Sequence, residues 1–175
     1  MKTLRITKAD LNERNEYTRS RDLEFEGHIE VEASLGWITV NGFIRAVGGL
    51  FVEAGSSIKA GESIKAGWSI KAGWSINAGE SIKAGESINA GGSIKAGESI
   101  EAGWSIKAGS SIRCKAQLAA KLRIFAGIGS GNLPKPDEQV IECAELVEGT
   151  VCFGELRFLT PSAPIAEPTE GEDAE

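Results

Sequence analysis

Histidine occurs once in this chain, at His28, and proline is missing from the first 133 residues. A single histidine excludes a zinc centre built on three imidazoles. No Ser-His-Asp set, CxxC pair or P-loop spacing takes its place, so no catalytic residue, metal or cofactor is expected and the chain is read as a non-enzyme. Without proline, every backbone N–H of the first 133 residues is free to join a β-ladder. Aromatic residues make up only 6% of the chain, which points to a thin aliphatic core. The cysteines number three, and an odd count argues for a reducing compartment over a disulfide framework. The sequence has no signal-peptide pattern and no long apolar run, so the expected setting is cytoplasmic, in a bacterium or a phage-infected host, with no membrane partner. The net charge is −6, and Glu167, Glu170, Glu172, Asp173 and Glu175 supply five of those charges. The rest of the chain is close to neutral, which argues against direct nucleic-acid binding.

What the chain has instead is glycine, 22 residues of it, placed on a strict period. A hexad Gly-x-Ser-Ile-y-Ala starts at Gly55 and is written ten times, the last copy ending in Cys114, with Ile at 58, 64, 70, 76, 82, 88, 94, 100, 106 and 112. A fixed short period decides architecture before any propensity is counted. Within Ile70-Lys71-Ala72 two apolar residues flank a polar one, which is strand alternation. Gly-x-Ser follows, and glycine suits a sharp corner. A helix is a poor alternative, because one Gly in six costs about 1 kcal/mol each time and Ile is β-branched. Collagen needs Gly at every third position. Each hexad is therefore one short strand and one corner. Stacked coils of such units pair at about 4.8 Å and bury a continuous core, with roughly 2 kcal/mol from each Ile.

The run Ala72-Gly73-Trp74-Ser75-Ile76 resembles the hexapeptide-repeat family of parallel β-helices, with the large and small inward positions exchanged. That resemblance implies a triangular coil of three hexads, whereas the spacing alone also admits two-sided coils of two. The chain is similar as well to bactofilins, polymer-forming proteins with Gly-punctuated β-helical repeats. The fold expected is all-β, a three-sided parallel β-helix with caps at both ends.

The repeat reaches beyond its identical copies. Leu23-Glu24-Phe25, Ile29-Glu30-Val31 and Leu35-Gly36-Trp37 are apolar-x-apolar triplets six apart. Ile38-Thr39-Val40, Ile44-Arg45-Ala46 and Leu50-Phe51-Val52 follow after a slip of three, and Val52-Glu53-Ala54 after a slip of two. Ile112-Arg113-Cys114, Leu118-Ala119-Ala120 and Ile124-Phe125-Ala126 keep the main frame. The expected organisation is an N-terminal cap over 1–22, with Thr7 capping a short helix to about Tyr17, and a solenoid over 23–126. A loop and C-terminal capping strands then cover 127–159, and 160–175 is a disordered acidic tail.

In a triangular coil, Glu62, Glu80 and Glu98 stack at one corner and Trp68, Glu86 and Trp104 at a second. Ser56, Trp74, Gly92 and Ser110 stack at the third, and Lys65, Lys83 and Glu101 form one of the flat-face ladders. Tryptophan exposed among charges is a hot-spot composition, so Trp68, Trp74 and Trp104, with Glu62, Glu80, Glu98, Lys65 and Lys83, form the candidate binding surface. The lysines also read simply as solubilising charges, and the tryptophans as covers over corner glycines that fill an oligomer contact. His28 is read as a solvated strand-turn residue, and Cys114, Cys143 and Cys152 as buried inert thiols. The function expected is a rigid binding module that docks on a protein partner, such as a nucleic-acid-handling complex. By analogy, a phage or mobile-element inhibitor of host defence, of the anti-CRISPR kind, belongs to that class. A self-assembling bactofilin-like scaffold, hence a homo-oligomer, is the second reading. An acyltransferase using His28 as base is the third, implied only by the hexapeptide-repeat resemblance.

Overall fold

A computed structural model describes residues 1–129 and 135–159. The expected acidic tail, 160–175, lies outside the described residues, as does Gly131 in the glycine-rich loop. The chain is a three-sided parallel β-solenoid. Strands are numbered in chain order. Face I carries β2 (Leu23–Phe25), β5 (Ile44–Ala46), β8 (Ile64–Ala66), β11 (Ile82–Ala84) and β14 (Ile100–Ala102). Face II carries β1 (Thr3–Ile6), β3 (His28–Val31), β6 (Leu50–Val52), β9 (Ile70–Ala72), β12 (Ile88–Ala90) and β15 (Ser105–Ala108). Face III carries β4 (Gly36–Val40), β7 (Ser56–Ala60), β10 (Ile76–Ala78), β13 (Ile94–Ala96), β16 (Ile112–Arg113), β18 (Val140–Cys143) and β20 (Glu155–Phe158). Two longer strands, β17 (Gln117–Ala126) and β19 (Glu145–Phe153), turn the corner from face I to face II without a break.

Every strand pairs with the third strand after it in the regular region, so Ile76 lies beside Ile58 and Ile94, and Ile82 beside Ile64 and Ile100. That register decides for coils of 18 residues over two-sided ones. Ile and Ala of each hexad point inward: Ile58 through Ile112 are fully buried, and the alanines between them nearly so. Parallel pairing needs no turn between partners, because each coil's three strands bring the chain back over its own start.

The two slips in the sequence frame are insertions at a single corner. Leu23 pairs with Ile44 and Ile44 with Ile64, which makes the early coils 21 and 20 residues long. The extra residues sit between faces II and III, at Glu32–Trp37 and again at Glu53–Ser57, where Ser34, Gly36 and Gly55 take positive φ. Leu35-Gly36-Trp37 is therefore not an inward triplet. Leu35 is half-buried, Trp37 faces solvent, and Ile38 and Val40 fill the core in their place. Likewise Ala54 belongs to a corner, and Ile58 opens the regular frame.

Corner glycines in the regular coils are required by close approach, not by unusual backbone angles. None from Gly61 to Gly109 has positive φ. A Cβ on Gly79 would lie 1.9 Å from the carbonyl oxygen of Gly61 one coil below. The hexad serines hold the same corners, with Ser75 N–H donating to Ser57 Oγ at 3.2 Å and Ser93 N–H to Ser75 Oγ at 3.1 Å.

The ladder runs past both bounds of 23–126. At the N-terminal end β1 adds a strand to face II, and Tyr17 N–H donates to Thr39 O at 2.9 Å over face III. Thr7 does cap a helix, but only a 3-10 turn, Lys8–Asp10, since Asn12 and Asn15 then reverse the chain. Buried Asp10 accepts from Thr7 N–H and Oγ1 and pairs with Arg19. Ile6, Leu11 and Tyr17 seal the core there. At the C-terminal end β18, β19 and β20 continue the parallel ladder as a last, looser coil.

Candidate docking surface

Each coil turns three corners, and each corner stacks residues of one kind. Between faces III and I the stack is Gly42, Glu62, Glu80, Glu98 and Ala116, each N–H donating to the carbonyl before it at 2.9–3.3 Å. Between faces I and II it is Gly48, Trp68, Glu86, Trp104 and Leu122, at 2.8–3.2 Å. Between faces II and III it is Ser56, Trp74, Gly92 and Ser110. From Glu62 onward the x position of the hexad turns outward, which is why its identity varies while the fold does not. Ser56 is the exception: the corner insertion buries it, and its Oγ donates to Glu32 O at 2.7 Å and accepts from Leu35 N–H at 3.0 Å.

Face I is thus a narrow strip with an acidic edge on one side and an aromatic edge on the other. Its outward ladder reads Glu24, Arg45, Lys65, Lys83, Glu101, Ala119 and Glu148. On the acidic edge Glu62 pairs with Arg21, Glu80 accepts from Ser63 Oγ at 2.9 Å, and Glu98 from Ser81 Oγ at 3.4 Å. A shallow groove of about 500 Å³ lies against that edge, lined by Phe43, Arg45, Glu62, Ser63, Lys65 and Glu80. Lys83 forms an ion pair with Glu101. On the aromatic edge Trp68 and Trp104 are 47% and 57% exposed, with Glu86 between them accepting from Ser69 Oγ at 2.9 Å.

Seven of the eight residues proposed from sequence therefore share one face and its two edges. Trp74, 58% exposed, stands on the far edge beside Gly92. Sequence reasoning missed two residues here. Leu122, exposed above Trp104, occupies the same corner position one coil on, so extending the frame would have found it. Trp37 had no such signal, because the corner insertion shifts it out of frame.

His28 is half-buried rather than solvated. Its Nδ1 accepts from Gly49 N–H at 2.9 Å, and its ring meets Trp68 edge-on at 5.0 Å and Phe51 at 5.7 Å. The imidazole is therefore the platform on which Trp68 rests. Cys114 and Cys143 are buried; burial pushes the Cys114 thiol up to about 12 and raises Cys143 as well. Cys152 departs from the expectation and is exposed, since it sits where β19 slips register against β17 in the loose last coil. Among the described residues no group of His, Cys, Asp and Glu is arranged to hold a metal ion. No described helix is long and apolar enough to cross a membrane. Comparison with protein-family models, curated proteins and solved structures finds no match to this chain.

Proposed function

We propose that the protein is a non-enzymatic β-solenoid binding module that docks face I and its two edges on a protein partner. The observation that carries this reading is the pairing of uncovered Trp68 and Trp104 with a carboxylate edge across one strand width. Large aromatics anchor interfaces, while flanking charges steer approach and set register. The sealed N-terminal coil speaks against a bactofilin-like filament. The hydrogen bond that occupies His28 Nδ1 speaks against an acyltransferase base. Membership of the hexapeptide-repeat family and a cytoplasmic setting are part of the proposal. So is its narrowest form, an inhibitor of host defence of the anti-CRISPR kind acting on a nucleic-acid-handling complex, which rests on analogy of fold.

The test compares capture of host proteins by the wild-type chain, by Trp68→Ser/Trp104→Ser and by Trp74→Ser. The double variant loses about tenfold or more in partner affinity, whereas Trp74→Ser binds as wild type does. Melting temperatures stay together, because none of these side chains is in the core. A double variant that captures the same partner with unchanged affinity sinks the reading.

A further inference from the structure

We infer that the C-terminal end of the solenoid is a self-complementary interface, and that two copies of this chain join there, end to end, about a two-fold axis. The two ends of the rod differ. The first coil is sealed by Ile6, Leu11 and Tyr17, with Tyr17 only 9% exposed. The last coil has the same inward positions but leaves them open. Leu146, Val151 and Leu156 are only half-buried, and Phe158, which pairs with fully buried Cys143, is 59% exposed. Among the described residues β19 pairs only with β17 and β20 only with β18, so both present a free strand edge. β1 and β2 also end their ladders at the other end, but there Ile6 and Leu23 are buried, and only the last coil joins a free edge to uncovered inward side chains. Free parallel coils of this kind are pairing sites unless something covers them.

A second copy is the occupant that the last strand itself selects. A two-fold contact between identical ends brings β20 against its own copy in antiparallel sense. Inward residues must face inward residues, which leaves registers two residues apart. With Leu156 opposite the partner's Leu156, each Glu155 stands across from the partner's Arg157, and Phe158 covers the partner's Gly154. A shift of two either way sets Glu155 against the partner's Glu155, or Arg157 against the partner's Arg157. Charge therefore admits one register of three. Within one chain Arg157 already holds Glu155, with Nη2 to Oε2 at 2.7 Å, so both charges are positioned at this edge before any encounter. The triangular outline of one end matches the other by construction. Because the opposite end has its apolar side chains covered, it offers no matching contact and assembly stops at two.

The mass of the full chain in solution, by light scattering and sedimentation, tests this. The expected result is a dimer that Leu156→Lys dissociates with the circular-dichroism spectrum unchanged. Arg157→Glu sets like charges across both copies of the contact and weakens association about 100-fold or more. Adding Glu155→Arg to it restores the dimer, because the reversed pair fits the same register; a purely local role for the ion pair would not link the two changes to mass. A monomeric full chain overturns the proposal, whether or not removing 160–175 then allows dimers, and so does a filament. Failure of the Trp68/Trp104 test would leave this outcome untouched, since those residues lie on a side of the rod and not at its end.

Discussion

Gly79 and Glu80 stand side by side at one corner and answer to opposite constraints. Gly79 faces the coil below, where a Cβ would meet the Gly61 carbonyl oxygen, while Glu80 faces solvent. Gly79→Ala must push two backbones apart and is expected to cost about 1–3 kcal/mol. Glu80→Ser should stay within about 0.5 kcal/mol. Urea denaturation of the two variants checks this, and equal stabilities would show that the coils have room to spare. The thiols divide in the same way. A thiol needs to ionise to react, and burial holds Cys114 far from ionisation at neutral pH. A colourless-to-yellow disulfide reagent at pH 8 should therefore titrate one thiol per native chain, Cys152, and three after unfolding. Two or three fast thiols in the native protein would contradict the closed core around Cys114 and Cys143.

At the scale of elements, the N-terminal turn is the part whose stability depends on a single charge. Burial raises the Asp10 pKa, but hydrogen bonds from Thr7 and the Arg19 guanidinium outweigh it, and the carboxyl ends below its ordinary value. A depressed folded pKa means that the stabilisation is complete above the unfolded value, near 3.9, and is lost as pH falls through the folded one. Hydrogen exchange of Leu11 and Tyr17 amides should accordingly stay slow from neutral pH to about 5, after correction for intrinsic rates, and quicken in stronger acid. Asp10→Asn should remove that acid-side transition. If the amides open at the same pH in wild type and variant, the cap is held by packing alone. The regular coils show no comparable dependence on one residue, because each strand repeats the same Ile and Ala contacts above and below.

For the molecule as a whole, that repetition makes the rod a stack of nearest-neighbour interfaces. A charge placed in the middle breaks two of them at once. Ile82 is fully buried between Ile64 and Ile100. Ile82→Asp leaves a carboxylate without a partner among methyl groups, at a cost on the order of 5 kcal/mol. The expected readout is loss of cooperative melting, and of partner capture with it. A variant that melts within a few degrees of wild type would mean that the core is wet or that the coil is not closed.

The period of the hexad was enough to specify a parallel solenoid and its inward Ile and Ala, because one face of every strand must be buried and the pattern leaves only one choice. It was also enough to place Trp68, Trp104, Glu62, Glu80 and Glu98 at outward corner positions, of which Glu62 is half-buried under Arg21. What the linear pattern did not contain was the count of strands per coil, since hexads close equally well in twos or threes on paper; backbone register settled that as three. Nor did it show that seven candidate residues share face I, or that Trp37 is outward, because a corner insertion shifts the frame without leaving a mark in composition. The ends were the least legible. Whether a terminal strand covers the core or extends it depends on which edge it pairs with, a long-range contact, and here both termini add rungs to the ladder while only the first is sealed.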